Sequence, residues 1–161
     1  MQAFNMDARE FVKFCVNQSN KGTEIDSQSL KFDHCYMNLP VDAVEFLDAF
    51  IGIFVNANPD VWWKDSSDPK SLMLPMIHVN GFTYEKDKES AIQFFKERIG
   101  KAMNYPKFSR VGEIECFHNI RDVSSTSHMY CTSFRLPYEV AMAGFEKTEI
   151  YKKFEDPNYK K

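Results

Sequence analysis

The stretch FDHCYMNLPVDAVEFLDAF, residues 32–50, changes its hydrophobic period at the tripeptide Asn38-Leu39-Pro40, and that change restricts the fold more than any other feature. Before it, Phe32 to Met37 is an apolar run of strand length. After it, Val41, Val44, Phe46, Leu47, Phe50, Ile51 and Phe54 recur mostly at helical spacing, which predicts a buried amphipathic helix over Val41 to Phe54. A strand that turns into a helix is the repeating unit of a mostly parallel sheet flanked by helices.

The rest of the chain repeats that unit. The short apolar run Ala3-Phe4-Asn5-Met6 is followed by Asp7, placed to cap a helix over Ala8 to Val16. Asn17 to Ser29 has the polar composition of an exposed loop. Leu72 to Val79 reads as a strand covered on both faces, although Pro75 removes a ladder donor within it. Glu85 to Ala102 reads as a helix, with Ile92, Phe95 and Ile99 on one face. Val111 to Ile120 and Met129 to Leu136 read as a hairpin joined by the turn RDVSSTSH. The expected order is strand, helix, strand, helix, strand, helix, strand, strand. The expected fold is α/β, with a mostly parallel sheet and a C-terminal antiparallel hairpin. Residues 1–137 form the domain, and 138–161 form a charged tail expected to fray.

Composition supports a single soluble domain, since 161 residues at 43% hydrophobic can bury a core. No window approaches a membrane span, and MQAFNMDARE lacks the pattern of a secretory signal, so the expected location is intracellular. The four cysteines form no C-x-x-C, and three sit in apolar runs, which predicts reduced core thiols and no metal site. A net charge of -3 disfavours nucleic-acid binding by bulk electrostatics, leaving a local patch or another part of the protein for such a role. Trp62-Trp63 lies in a loop, where it packs on the domain or marks a contact surface.

In open α/β sheets ligands sit beyond the carboxyl ends of the strands. Asp7, Asn38 and the segment HVNGF fall there. Asn38 offers an acceptor and a donor pair suited to a nucleobase edge, with Pro40 fixing the backbone that aims it; the alternative is a cap for the following helix. Asp7 either caps its helix or accepts a hydrogen bond from an adenine amine. His78 either shuttles protons or is a structural histidine, and Gly81 is read as a positive-φ turn residue. His118, Asn119 and Arg121 repeat the theme, Arg121 being either a phosphate contact or a solvated charge. The six glycines form no G-x-G, and there is no P-loop, H-E-x-x-H or G-x-S-x-G pattern.

FNMDAREFV, MNLPVDAVEFLDAF, LPMIHVNGF and CTSFRLP, in this order, closely resemble the C-terminal half of the tRNA (guanine-N1)-methyltransferases of eukaryotes and archaea that act at tRNA position 37. The resemblance runs from about residue 3 to residue 137. It implies a class I, Rossmann-like, S-adenosylmethionine-dependent methyltransferase fold with strand order 3-2-1-4-5-7-6. Asn-Leu-Pro then looks like that family's version of N-P-P-Y. Asn38, Leu39 and Pro40 would line the site for guanine and methionine, and Asp7 and Asn38 would contact the cofactor. The family's glycine-containing loop, acidic ribose contact, and proton-removing arginine and glutamate lie upstream of the position matching Met1. Its R-x-V-A-P turn appears here as Arg121-Asp122-Val123-Ser124-Ser125.

The expectation is therefore a fragment that acts on tRNA as part of a longer enzyme and is inactive alone. The strand ending at Met6 would be detached, paired beside Phe32 to Met37, or replaced by self-association across the exposed sheet edge. The rival readings are the aminocarboxypropyl transferase of wybutosine synthesis, which shares fold and cofactor, and a noncatalytic module binding through the sheet edge and Trp62-Trp63.

Overall fold

A computed structural model describes residues 3–20 and 30–144. Helix α1 (Ala8–Ser19) begins where Asp7 accepts the backbone N–H groups of Arg9 and Glu10 at 2.9 and 3.3 Å. That bond set satisfies donors that a helix start otherwise leaves unpaired. Residues 3–6 form no strand, contrary to the expectation; Phe4 instead packs on Phe11 and Phe14 of α1, with ring centroids 5.3 and 5.5 Å apart.

Four strands follow: β1 (His34–Met37), β2 (Met76–Thr83), β3 (Cys116–Asp122) and β4 (His128–Arg135). They form one mixed sheet in the order β1-β2-β4-β3. β1 and β2 are parallel, while β4 runs antiparallel to both β2 and β3. The expected hairpin is present, but β4 enters between β2 and β3, so only one of the three pairings is parallel. A bulge between Asn119 and Arg121 shifts the register of β3.

Several expected elements differ in extent. Val41 to Phe54 is a series of turns around a 3-10 helix at Glu45–Phe50, not an α-helix. Its bonds run three residues back, from Glu45 to Asp42 and from Leu47 to Val44. Gly52, at φ +67, then redirects the chain so that the N–H groups of Gly52 and Phe54 reach the carbonyls of Val140 and Ala141. Strand β2 starts after Pro75, whose carbonyl accepts from Leu136, and continues through Thr83. His78, Asn80 and Gly81 therefore lie within a strand rather than past its end. Gly81 does not have a positive φ; a Cβ there would stand 2.5 Å from the Phe95 ring, so the missing side chain makes room for the core.

Helices α2 (Pro59–Trp62), α3 (Lys88–Ala102) and α4 (Phe108–Val111) complete the core, and α3 is capped by Asp87. Val111, the first residue of the strand expected over Val111 to Ile120, is the last residue of α4. The buried cluster joins one sheet face (Ile77, Val79, Phe134) to α3 (Phe95, Ile99) and to the turns holding Leu47, Phe50 and Phe54. Trp62 and Trp63 are buried in it, so they are not a contact surface. Trp62 meets Phe54 edge-on at 4.8 Å, and the Trp63 indole donates to the Pro69 carbonyl at 3.0 Å. Residues 138–144, grouped by sequence with the tail, include α5 (Tyr138–Ala141) and bury Val140, Ala141 and Met142; residues 145–161 lie outside the described residues. All four cysteines are free thiols, but Cys116 is exposed rather than in the core.

Candidate functional site

The carboxyl end of β1 runs into Asn38, and Leu39 turns the chain by accepting the N–H groups of Asp42 and Ala43 at 3.0 and 2.7 Å. Pro40 has no N–H to lose at this turn and holds its φ near the helical value. The parallel register pairs Met37 with Val79, which brings the next residues of each strand together. Asn80 donates its amide to the Asn38 carbonyl oxygen at 2.8 Å. Asn38 is therefore not bonded as a helix cap: its Oδ1 is occupied by Asn80, and its own amide donors lie at an exposed position.

Beside this turn, a cavity of about 780 Å³ lies between α1 and β1. Ala8, Phe11 and Val12 of α1 wall one side, His34 to Met37 of β1 the other, and Asn38, Leu39 and Phe46 close the end. Its size and largely apolar walls with a few polar groups suit a small organic ligand. Among the described residues Lys31 is the one lining residue with a permanent charge, and its ammonium is turned to the Val61 carbonyl at 2.9 Å. Burial pushes the Cys35 thiol up to about 11, so it is not a thiolate nucleophile at neutral pH. Helix α1 is held across the cavity by Arg9, which pairs with Asp48 at 2.6 Å and lies 4.0 Å from the centre of the Phe46 ring.

Of the residues singled out by sequence, the structure brings together Asn38, Leu39 and Asn80, with His78 on the same sheet face. Asp7 and Pro40 do not line the cavity. His118 and Arg121 are on β3, the opposite edge strand, separated from β1 by β2 and β4. The Arg121 to Ser125 segment closes the hairpin, where Val123 donates to the Ser127 carbonyl and His128 meets Asp122 at 2.6 Å.

Sequence reasoning passed over His34 and Tyr36. His34 Nδ1 lies 2.9 Å from His78 Nε2, and His78 Nδ1 lies 2.8 Å from the Ser133 hydroxyl. Tyr36, 75% exposed, stacks on the His78 ring at 4.2 Å. Desolvation lowers the His78 pKa, with His34 acting in the same direction and Glu115 opposing. The available signal was the spacing of two: polar or aromatic residues at 34, 36 and 38, and again at 78 and 80, mark one face of adjacent strands. Among the described residues, no group of three or more His, Cys, Asp or Glu side chains stands in metal-binding geometry. No helix among them is long and apolar enough to cross a membrane.

The fold and cavity define a mixed α/β domain with a ligand-sized site at the carboxyl end of a parallel strand. Comparison with known proteins gives the family. The chain is 37% identical over 145 residues to a tRNA (guanine(37)-N(1))-methyltransferase of Paramecium tetraurelia, a match spanning 90% of this chain and 29% of the relative. It is 34% identical over 113 residues to the enzyme of that name from Neurospora crassa, spanning 68% of this chain and 23% of the relative. It is 36% identical over 145 residues to tRNA (guanine(37)-N(1))-methyltransferase 1 of Vitis vinifera, spanning 89% and 19%. The chain belongs to the tRNA (guanine(37)-N(1))-methyltransferase family and spans roughly a fifth to two fifths of the length of the curated relatives it matches. No family model matches the chain, and no solved structure matches it.

Proposed function

We propose that this chain is the C-terminal part of the catalytic domain of a tRNA (guanine-N1)-methyltransferase, and that the whole enzyme moves a methyl group from S-adenosylmethionine to guanine N1 at tRNA position 37. The observation that carries the proposal is the Asn38-Leu39 turn opening on the cavity at the end of a parallel strand, in a chain of this family. The order β1-β2-β4-β3 supports the finer, Rossmann-like reading, because it corresponds to strands 4-5-7-6 of the class I sheet.

The cavity fits the donor in part. Ala8, Phe11 and Phe46 offer apolar walls for an adenosyl group, and among the described residues the lining repels a cation only through Lys31, whose ammonium is already bonded elsewhere. Among the described residues no carboxylate lines it, and the acidic contact to the ribose hydroxyls is assigned to the part of the enzyme outside this chain. Bound S-adenosylmethionine supplies an electrophilic methyl group. The chain's own contribution is orientation: the Asn38 amide would donate to guanine O6 while Asn80 keeps that amide from rotating. Asp7 does not itself line the cavity but precedes Ala8, which does; with Oδ1 used for both helix-capping bonds, its Oδ2 is the atom assigned to an adenine amine at the cavity's edge. The general base that removes the N1 proton is assigned to the part of the enzyme outside this chain, so the chain alone is expected to be inactive.

Grafting residues 3–137 into the Paramecium tetraurelia relative in place of its matching segment tests the reading. The chimera should methylate a tRNA transcript with guanosine at position 37, and Asn38→Ala should slow it by about a hundredfold or more. Product mass separates methyl from aminocarboxypropyl transfer. A folded chimera that binds S-adenosylmethionine yet transfers no methyl group would sink the proposal. So would micromolar binding of S-adenosylmethionine, by calorimetry, to the 161-residue chain alone, as far as the partial site is concerned.

A further inference from the structure

The turn that presents Asn38 is not held by apolar packing within this chain. Among the described residues no side chain from Asn38 to Asp42 is buried, and the first buried ones that follow are Ala43 and Val44. Polar bonds therefore fix its shape. One is the amide bond from Asn80 to Asn38, and two more run from Asp42 and Ala43 back to the Leu39 carbonyl. These set the side chain and the local curl, but none ties the exit of the turn to a neighbouring element.

Arg98 makes that tie. It stands on α3 directly before Ile99 and one turn after Phe95, both fully buried, so a helix locked into the core carries it. Its Nη2 donates to the Val41 carbonyl at 2.6 Å and to Glu45 Oε2 at 2.7 Å, and its Nε donates to Glu45 Oε1 at 2.9 Å. Because the carboxylate takes the guanidinium with both oxygens, the plane of the fork is fixed, and with it the direction of the bond to Val41. Glu45 is met from a second helix as well: its main-chain carbonyl accepts from Arg9 Nη2 of α1 at 3.4 Å. The segment leaving Asn38 is thus strung between α1 and α3. The Arg98 and Glu45 side chains keep 24% and 50% of their exposure, and a pair this accessible to water adds little to global stability. What the clamp governs is where the turn sits, and a displacement of about 1 Å at a reacting group can slow a reaction about a hundredfold.

We propose that Arg98 is a positioning residue for methyl transfer: by holding the Val41 carbonyl and Glu45, it sets the placement of the Asn38 amide against the guanine base. This rests on the tRNA-methyltransferase reading and adds to it a residue of α3 that does not line the cavity and acts only through the turn. The bonds involved are all internal to the chain, so the role does not depend on which surfaces the rest of the enzyme covers.

The test uses the Paramecium tetraurelia chimera carrying residues 3–137 and follows a single turnover of methylation on the tRNA transcript. Arg98→Gln should lower the saturated rate about tenfold, while the concentrations of tRNA and S-adenosylmethionine that half-saturate it stay within about twofold of the parent. Glu45→Gln leaves the bond to Val41 but frees the fork, and should lower the rate less. In the Asn38→Ala background, Arg98→Gln should change the rate by less than about twofold, because the group it places is gone. Urea midpoints should match the parent for both single variants. Should Arg98→Gln fail to fold, Glu45→Gln carries the same cycle, and its loss must likewise vanish in Asn38→Ala. The clamp is also read without activity: the amides of Asp42 and Ala43 should exchange faster with deuterium in Arg98→Gln, and those of α3 should not. A parent-like rate for Arg98→Gln overturns the role, as does unchanged exchange at Asp42 and Ala43, or a loss that multiplies in full onto that of Asn38→Ala. If the parent chimera methylates tRNA and Arg98→Gln equals it, the enzymatic reading stands and the positioning role falls. If the parent chimera transfers no methyl group, both fall, whatever the exchange shows.

Discussion

Gly81 carries a tertiary constraint that its local sequence conceals. In HVNGF a glycine after a polar residue looks like turn punctuation, yet it pairs with Tyr130 in mid-strand under Phe95. Phe95 is fully buried and meets Phe117 at 5.7 Å, so its ring has little room to yield to a new Cβ. Gly81→Ala should lower stability by about 1–3 kcal/mol through overpacking, read as a drop in the urea midpoint with an unchanged slope. Gly81→Ala combined with Phe95→Leu should recover part of the loss, since the smaller side chain frees the space. Asn38 differs in kind. Its place at a strand mouth was legible from the period change and Pro40, whereas its bond to Asn80 depends on a register between segments 42 residues apart.

At the scale of elements, the hydrophobic period located segments better than it identified their hydrogen-bond pattern. Val44, Leu47, Phe50 and Phe54 are all buried as the pattern implies, but a 3-10 helix and successive turns bury them as well as an α-helix would. Gly52 and the docking of residues 52–54 on Val140 and Ala141 decide the matter, and both are set by the far end of the chain. The run Ala3–Met6 reads as a strand because it is short and apolar, but Phe4 rests on Phe11 and Phe14 of α1 while staying 39% exposed, without any sheet. The attachment of α1 can be tested. Its side of the cavity is tied to the 3-10 segment through Arg9, whose guanidinium is raised in pKa mainly by its hydrogen bond to Asp48. Arg9→Gln removes the ion pair and the contact over Phe46. Amides of 8–19 should then exchange faster with deuterium, while those of α3 should keep the parent rate. About 0.5 M salt should produce a weaker version of the same change in the parent, because the pair is accessible to screening. Equal exchange in α1 with and without Arg9 would assign its attachment to Val12, Cys15 and Val16 alone.

Across the whole molecule, the hairpin was legible from the spacing of two apolar runs and a polar turn, but the insertion of β4 between β2 and β3 was not, because strand order is set by packing. That insertion places Ser133 beside His78, and so links β1, β2 and β4 through one imidazole. The sheet consequently acquires a pH dependence. His78 has a pKa below its ordinary value of 6.5, first through burial and then through His34, with Glu115 acting the other way. On acidification the unfolded chain therefore takes up this proton before the folded one does. More protons bound in the unfolded state means that stability rises with pH, so it must fall as pH drops through the region just below 6.5. The loss continues until His78 is protonated in the folded sheet as well. Protonated on both nitrogens, His78 can no longer accept from His34, and the imidazole bond between β1 and β2 survives only if His34 Nδ1 serves as the acceptor, whereas the Asn80–Asn38 bond is unaffected by this proton. Urea midpoints measured from about pH 7.5 to 5.5, where most carboxylates stay ionised, should decline in the parent and decline less in His78→Gln. Parallel declines in the two proteins would show that the acid sensitivity lies elsewhere. A decline confined to β1 amides in hydrogen exchange would locate it in the strand that carries Tyr36 and runs into Asn38.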